Sequence, residues 1–117
     1  MSGRIHKSRI PILRAEELPG VVREEITRAK HTVRSGLWRK DFEFGNEHGK
    51  DGDGPPLPQL PNGSEYMKFQ LGEARPEDPR AGGRRRVVFE VQTATRRIME
   101  IYYTADHYAK FSFFRLV

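Results

Sequence analysis

The chain has 117 residues, no cysteine, and a formal charge of +5 from 21 Lys and Arg against 16 Asp and Glu. That length fits one domain with a modest core, and the absence of cysteine excludes disulfides, thiolate chemistry and any cysteine-based zinc site. The basic balance favours a polyanionic partner and speeds encounter with it.

In chain order, residues 1–14 are basic, with Ile5, Ile10, Ile12 and Leu13 at no sustained period. They read as an arm or linker that could dock a strand, and the domain proper is expected over residues 15–117. From Ala15 to about Ser35, the helical spacing of Leu18, Val21, Val22, Ile26 and Ala29 predicts one helix, with an interruption allowed at Pro19. Glu16, Glu17, Glu24 and Glu25 suit its amino end; Lys30, Arg34 and the following Gly36 suit its carboxyl end. Trp38 and Phe42 read as the edge of the core.

Residues 45–64 are rich in glycine, proline and charge, and predict a long loop of the kind that is commonly functional in a compact domain. The pattern then changes to period two. Met67, Phe69 and Leu71 point one way, and Tyr66, Lys68 and Gln70 the other. Around Arg84 to Val91, the same alternation separates Arg85, Val87, Phe89 and Val91 from Arg84, Arg86, Val88 and Glu90. Strands over 97–104 and 109–116 complete a meander. The fold class is therefore α+β, an N-terminal helix packed on a C-terminal antiparallel sheet, with the second sheet face left as a concave, wetter binding surface.

Two segments carry chemistry. Tyr102 to Ser112 sets a single histidine, His107, among tyrosines in a short turn between aromatic-rich strands. Imidazole titrates at about 6.5 when unperturbed, so a histidine held there is a candidate acid or base. The strand that opens with Arg84, Arg85 and Arg86 offers cations that steady phosphate charge. Together they suggest phosphodiester chemistry. Scattered histidines and no cysteine give no metal site, and no cofactor is expected. His6 and His31, in the arm and on a helix face, read as structural.

That order of parts resembles the barnase and streptomycete guanyl-ribonuclease family, over roughly residues 15–117. The specific match is the turn Thr104-Ala105-Asp106-His107-Tyr108 between a tyrosine-rich strand and a Phe-containing last strand. Phe44-Gly45-Asn46-Glu47-His48-Gly49-Lys50 is similar to the family's guanine-binding loop, with Leu57-Pro58 following as its Leu-Pro does. Glu65 to Leu71 is similar to the strand that carries the family's catalytic glutamate. The resemblance implies a metal-independent endoribonuclease that cleaves single-stranded RNA to 2′,3′-cyclic phosphate ends. It makes His107 the general acid, Arg86 the clamp on the scissile phosphate and Tyr108 a wall of the base pocket. Phe44, Asn46, Glu47 and His48 would bind the base.

The sequence departs from the family at three places. Lys68 stands where the family has its general-base glutamate, and a protonated ammonium has no lone pair to accept a proton. It would act as an electrostatic substitute or a poorly tuned base; Glu65 could replace it only through a register slip or a bulge. His48 stands where the guanine-pairing glutamate falls, which also opens a two-histidine mechanism with His107. Gly82 stands in place of a second active-site arginine, whose space Arg80 or Arg84 could fill. The other reading is a binding module, a ribonuclease fold that has lost its base and keeps a cationic groove for RNA or an acidic protein.

No apolar run approaches the roughly 20 residues of a membrane span, and Met1 to Arg14 lacks the apolar core of a signal peptide. The expectation is a monomer that is secreted or delivered as a toxin by export information absent from this chain, with cytoplasmic action as the alternative. RNA is the expected partner, with an acidic inhibitor or immunity protein as a second and no membrane partner.

Overall fold

The computed structural model describes residues 7–46, 55–71, 85–106, 108 and 112–117. Pro19 decides where the helix begins. Leu18 and Pro19 hold extended ψ angles of 149° and 146°, and α1 spans Gly20–Arg34. Ala15–Glu17 forms a separate 3-10 turn. Glu17 therefore does not meet the helix dipole; its carboxylate accepts a hydrogen bond from the Arg14 N–H at 3.0 Å. Val22, Ile26, Ala29 and Val33 are the buried residues of α1, a helical stripe facing the sheet. Past the Ser35 cap, Gly36 turns the chain away: its φ of 84° lies in the region glycine enters without steric cost, and its N–H reaches the Val33 carbonyl at 3.2 Å.

Among the described residues, five strands follow the order β1-β5-β4-β3-β2. They are β1 (Ile12–Leu13), β2 (Ser64–Gln70), β3 (Arg86–Gln92), β4 (Arg97–Thr104) and β5 (Phe113–Leu116). β2 through β5 pair antiparallel as expected, but β1 runs parallel to β5, so the sheet is mixed rather than purely antiparallel. A two-residue strand has no readable period; backbone bonds seat it, with Leu13 packed against the core on the α1 side. Arg115 N donates to the Pro11 carbonyl at 2.8 Å and Val117 N to that of Leu13 at 3.1 Å. The docked part of the arm also buries Ile10 and pairs Lys7 with Glu100.

Alternation along the strands produces two cores. Toward α1 lie Met67, Leu71, Val87, Phe89, Val91 and Tyr103, each apolar side chain contributing about 2 kcal/mol through burial. The other face, expected to be the wetter one, carries its own apolar cluster of Ile10, Leu57, Tyr66, Val88, Tyr102 and Phe113. The loop around Leu57 and the arm at Ile10 cover part of the sheet.

A register shift between Glu90 and Val91 leaves Met99 as the extra residue of a bulge, 44% exposed. It sets Glu90 directly opposite Glu100, two like charges across a pair of strands. Burial raises the Glu90 carboxyl above its usual 4.5, the Lys7 ammonium opposes that rise, and Glu100 adds to it. A carboxyl that holds its proton more tightly when folded costs stability as it ionises. The cost is absent below the ordinary carboxyl range and complete above the raised value. Glu90→Gln is therefore expected to melt higher than the parent at neutral pH, and the two melting curves should converge as the pH falls below about 4. A variant no more stable than the parent at pH 7 would show that Lys7 and Arg115 already offset the repulsion.

Candidate active site

The register writes out the face turned away from α1. One row across the sheet reads Gln70, Arg86, Thr104, Phe113, and the next reads Lys68, Val88, Tyr102, Arg115. Arg86 and Lys68 thus sit on adjacent strands and adjacent rows of one face, as the period-two pattern expects. Their charged ends reach the same ring. The Tyr108 ring centroid lies 5.5 Å from Arg86 Cζ and 5.9 Å from Lys68 Nζ, two cation–π contacts worth about 0.5–1 kcal/mol each.

Tyr108 is held from several sides. It stacks near Phe44 at 5.1 Å and Phe113 at 6.4 Å, and takes a left-handed backbone with φ 63°. Burial raises its phenol above the usual value, while the Arg86 charge and a hydrogen bond from Arg86 pull it back. The turn that presents Tyr108 is closed at its base by side chains. Thr104 Oγ1 and Ser112 Oγ share a hydrogen bond at 2.6 Å, and Asp106 N donates to Thr104 Oγ1 at 3.0 Å. Thr104 is fully buried, and this pairing satisfies its hydroxyl.

Beside this cluster opens a cavity of about 350 Å³, lined by Phe44, Gly45, Asn46, Leu57, Glu65 and Tyr66 among others. Phe44 is common to both, one wall of the cavity and a neighbour of Tyr108. Asn46, expected to touch the base, lines this cavity and also bonds its own loop through its amide. Its Nδ2 donates to the carbonyls of Leu57 at 2.7 Å and Pro58 at 3.2 Å, and its Oδ1 accepts from Leu57 N at 2.9 Å. Tyr66 adds a bond from its hydroxyl to the Pro58 carbonyl at 2.6 Å.

Glu65 does not replace Lys68. The β2–β3 register runs unbroken from Ser64 to Gln70, so Glu65 alternates away from Lys68 and meets the cavity at the sheet's edge. Of the sequence-predicted residues, Phe44, Asn46, Lys68, Arg86 and Tyr108 are gathered here. Glu47, His48, Arg80, Arg84 and His107 lie outside the described residues. Phe113, Thr104 and Ser112 were missed as parts of the site. The parity of β4 and β5 is the signal that could have placed Thr104 and Phe113 on this face; nothing comparable marks the Thr104 to Ser112 bond.

The arrangement can hold an anion against two cations and a planar group against Phe44 or Tyr66. No protein-family model, curated protein or solved structure matches this chain.

Proposed function

We propose that the chain is a metal-independent endoribonuclease of the barnase-like class, cleaving single-stranded RNA to 2′,3′-cyclic phosphate ends. The observation that carries the reading is that Arg86 and Lys68 both reach the ring of Tyr108, the residue that follows His107 in the chain. In the reaction, the ribose 2′-oxygen loses its proton and attacks phosphorus, and the bond to the 5′-oxygen breaks. His107 gives its proton to that departing oxygen. Arg86 clamps the phosphate, and Lys68 stabilises the negative charge that builds on the attacking and equatorial oxygens while the 2′ proton leaves to water. DNA has no 2′-hydroxyl and survives. Secretion or delivery as a toxin, with an acidic inhibitor protein bound over the cations, extends this reading by family analogy.

One observation favours a second reading, an RNA-binding module without turnover. Lys68 presents a cation on the face where the family's base would stand, and no register shift in β2 brings Glu65 round to replace it. An ammonium in place of a carboxylate adds phosphate affinity and removes proton acceptance.

The test is incubation of the full chain with a short single-stranded RNA in excess chelator, with analysis of the product ends. Cyclic phosphate ends are expected, with a rate in His107→Ala lower by about 10²-fold or more while RNA binding persists. Intact RNA with salt-dependent binding would establish the binding module instead.

A further inference from the structure

Past the end of α1, the fold leaves two large apolar side chains in water. Leu37 is 53% exposed and Trp38 51%, and neither joins either core, so Trp38 is not the core-edge residue the sequence suggests. Cations flank them in the chain. Arg34, Arg39 and Lys40 are exposed on the same stretch. The β3–β4 turn adds exposed Arg96 and Arg97, with the Arg96 guanidinium so close over Gly36 that a Cβ there would lie 3.0 Å from its Nε. Asp41, the carboxylate of this stretch, is paired with Arg39 at 3.0 Å. Arg34, Lys40, Arg96 and Arg97 make no ion pair with a described residue. The patch lies at the far end of β3 from Arg86, about 20 Å away at the rise of a strand.

From this we infer that the Leu37–Trp38 patch docks on an anionic lipid surface. An indole at the headgroup level, a leucine reaching the acyl boundary and a ring of cations meeting anionic headgroups are what such a surface recognises. No transmembrane span is needed, so the absence of one in the sequence does not bear on it. RNA would engage the cations and stack on Trp38 but leave Leu37 in water. A second copy of the chain would bring the same positive charge to the same place.

Trp38 is the sole tryptophan, so its emission reports on this patch and nowhere else. The full chain is titrated at low salt with phosphatidylcholine vesicles, with and without phosphatidylserine. The expected result is a blue shift and co-sedimentation only when phosphatidylserine is present. In Lys40→Glu/Arg97→Glu, partition should weaken by roughly tenfold or more. Leu37→Ser, which leaves every charge in place, should also weaken it. A single-stranded RNA should leave Trp38 emission unchanged. No shift with phosphatidylserine, a shift undiminished in folded Lys40→Glu/Arg97→Glu, or an equal response to RNA would each overturn the inference.

Discussion

Lys68→Glu is expected to cleave RNA about 10²- to 10⁴-fold faster than the parent, the range a positioned general base contributes. The backbone places position 68 on the face that carries Arg86. Lys68 shares a face with Arg86 one row away, and both side chains reach the Tyr108 ring. A carboxylate there would face Arg86, which keeps it ionised and ready to take the 2′-hydroxyl proton. The same change removes one positive charge and adds a negative one, so RNA affinity should fall and its dependence on salt should flatten. Lys68→Gln separates the two effects, since it loses the charge without gaining a base. The decisive comparison is the single-turnover rate at saturating RNA. If Lys68→Glu is no faster than Lys68→Gln, position 68 does not stand at the ribose and the proposed phosphate pose is wrong. A new rate dependence on pH in the carboxylate range would mark the introduced group as the base.

The faces of the sheet were legible because strand periodicity is local. Tyr66, Lys68 and Gln70 against Met67, Phe69 and Leu71, and Arg86 opposite in parity to Val87, follow from side-chain alternation alone. What the period could not convey depends on contacts distant in sequence. β1 is two residues long and is defined by its backbone bonds to β5. The second apolar cluster forms because Ile10 and Leu57 arrive from an arm and a loop, neither of which has a pattern that states where it folds back. The same limit applies at the site. Arg86 and Lys68 were found by type and parity, whereas the Thr104 to Ser112 hydroxyl pair that closes the turn spans eight residues and has no sequence signature. Asn46 was read as a ligand for the base because its loop resembles a base-binding loop. Its hydrogen bonds add a role that the motif does not state, holding the opposite side of its own loop and so shaping the cavity it lines.

That role makes Asn46→Ala a costly change, about 4 kcal/mol in all. Three hydrogen bonds to Leu57 and Pro58 disappear, each worth about 1 kcal/mol net, and the backbone N–H and C=O of the fully buried Leu57 lose their bonds to Asn46. Asn46 also sits at φ 53°, where asparagine is tolerated and alanine costs about 1 kcal/mol more. Melting should fall by roughly 10 °C or more in a domain of this size. Asn46→Gly separates the two contributions, because glycine accepts the backbone angle but cannot make the clasp. Asn46→Asp isolates the polarity, since it still accepts from Leu57 N while facing two carbonyls with a carboxylate. A melting temperature for Asn46→Ala within about 2 °C of the parent would show that the loop is held by other contacts, chiefly Tyr66 on Pro58. With the clasp gone, Leu57 no longer fixes the far wall of the cavity that Phe44 shares with the Tyr108 cluster. Asn46→Ala should therefore weaken binding of a nucleoside 3′-monophosphate more than Asn46→Gln does.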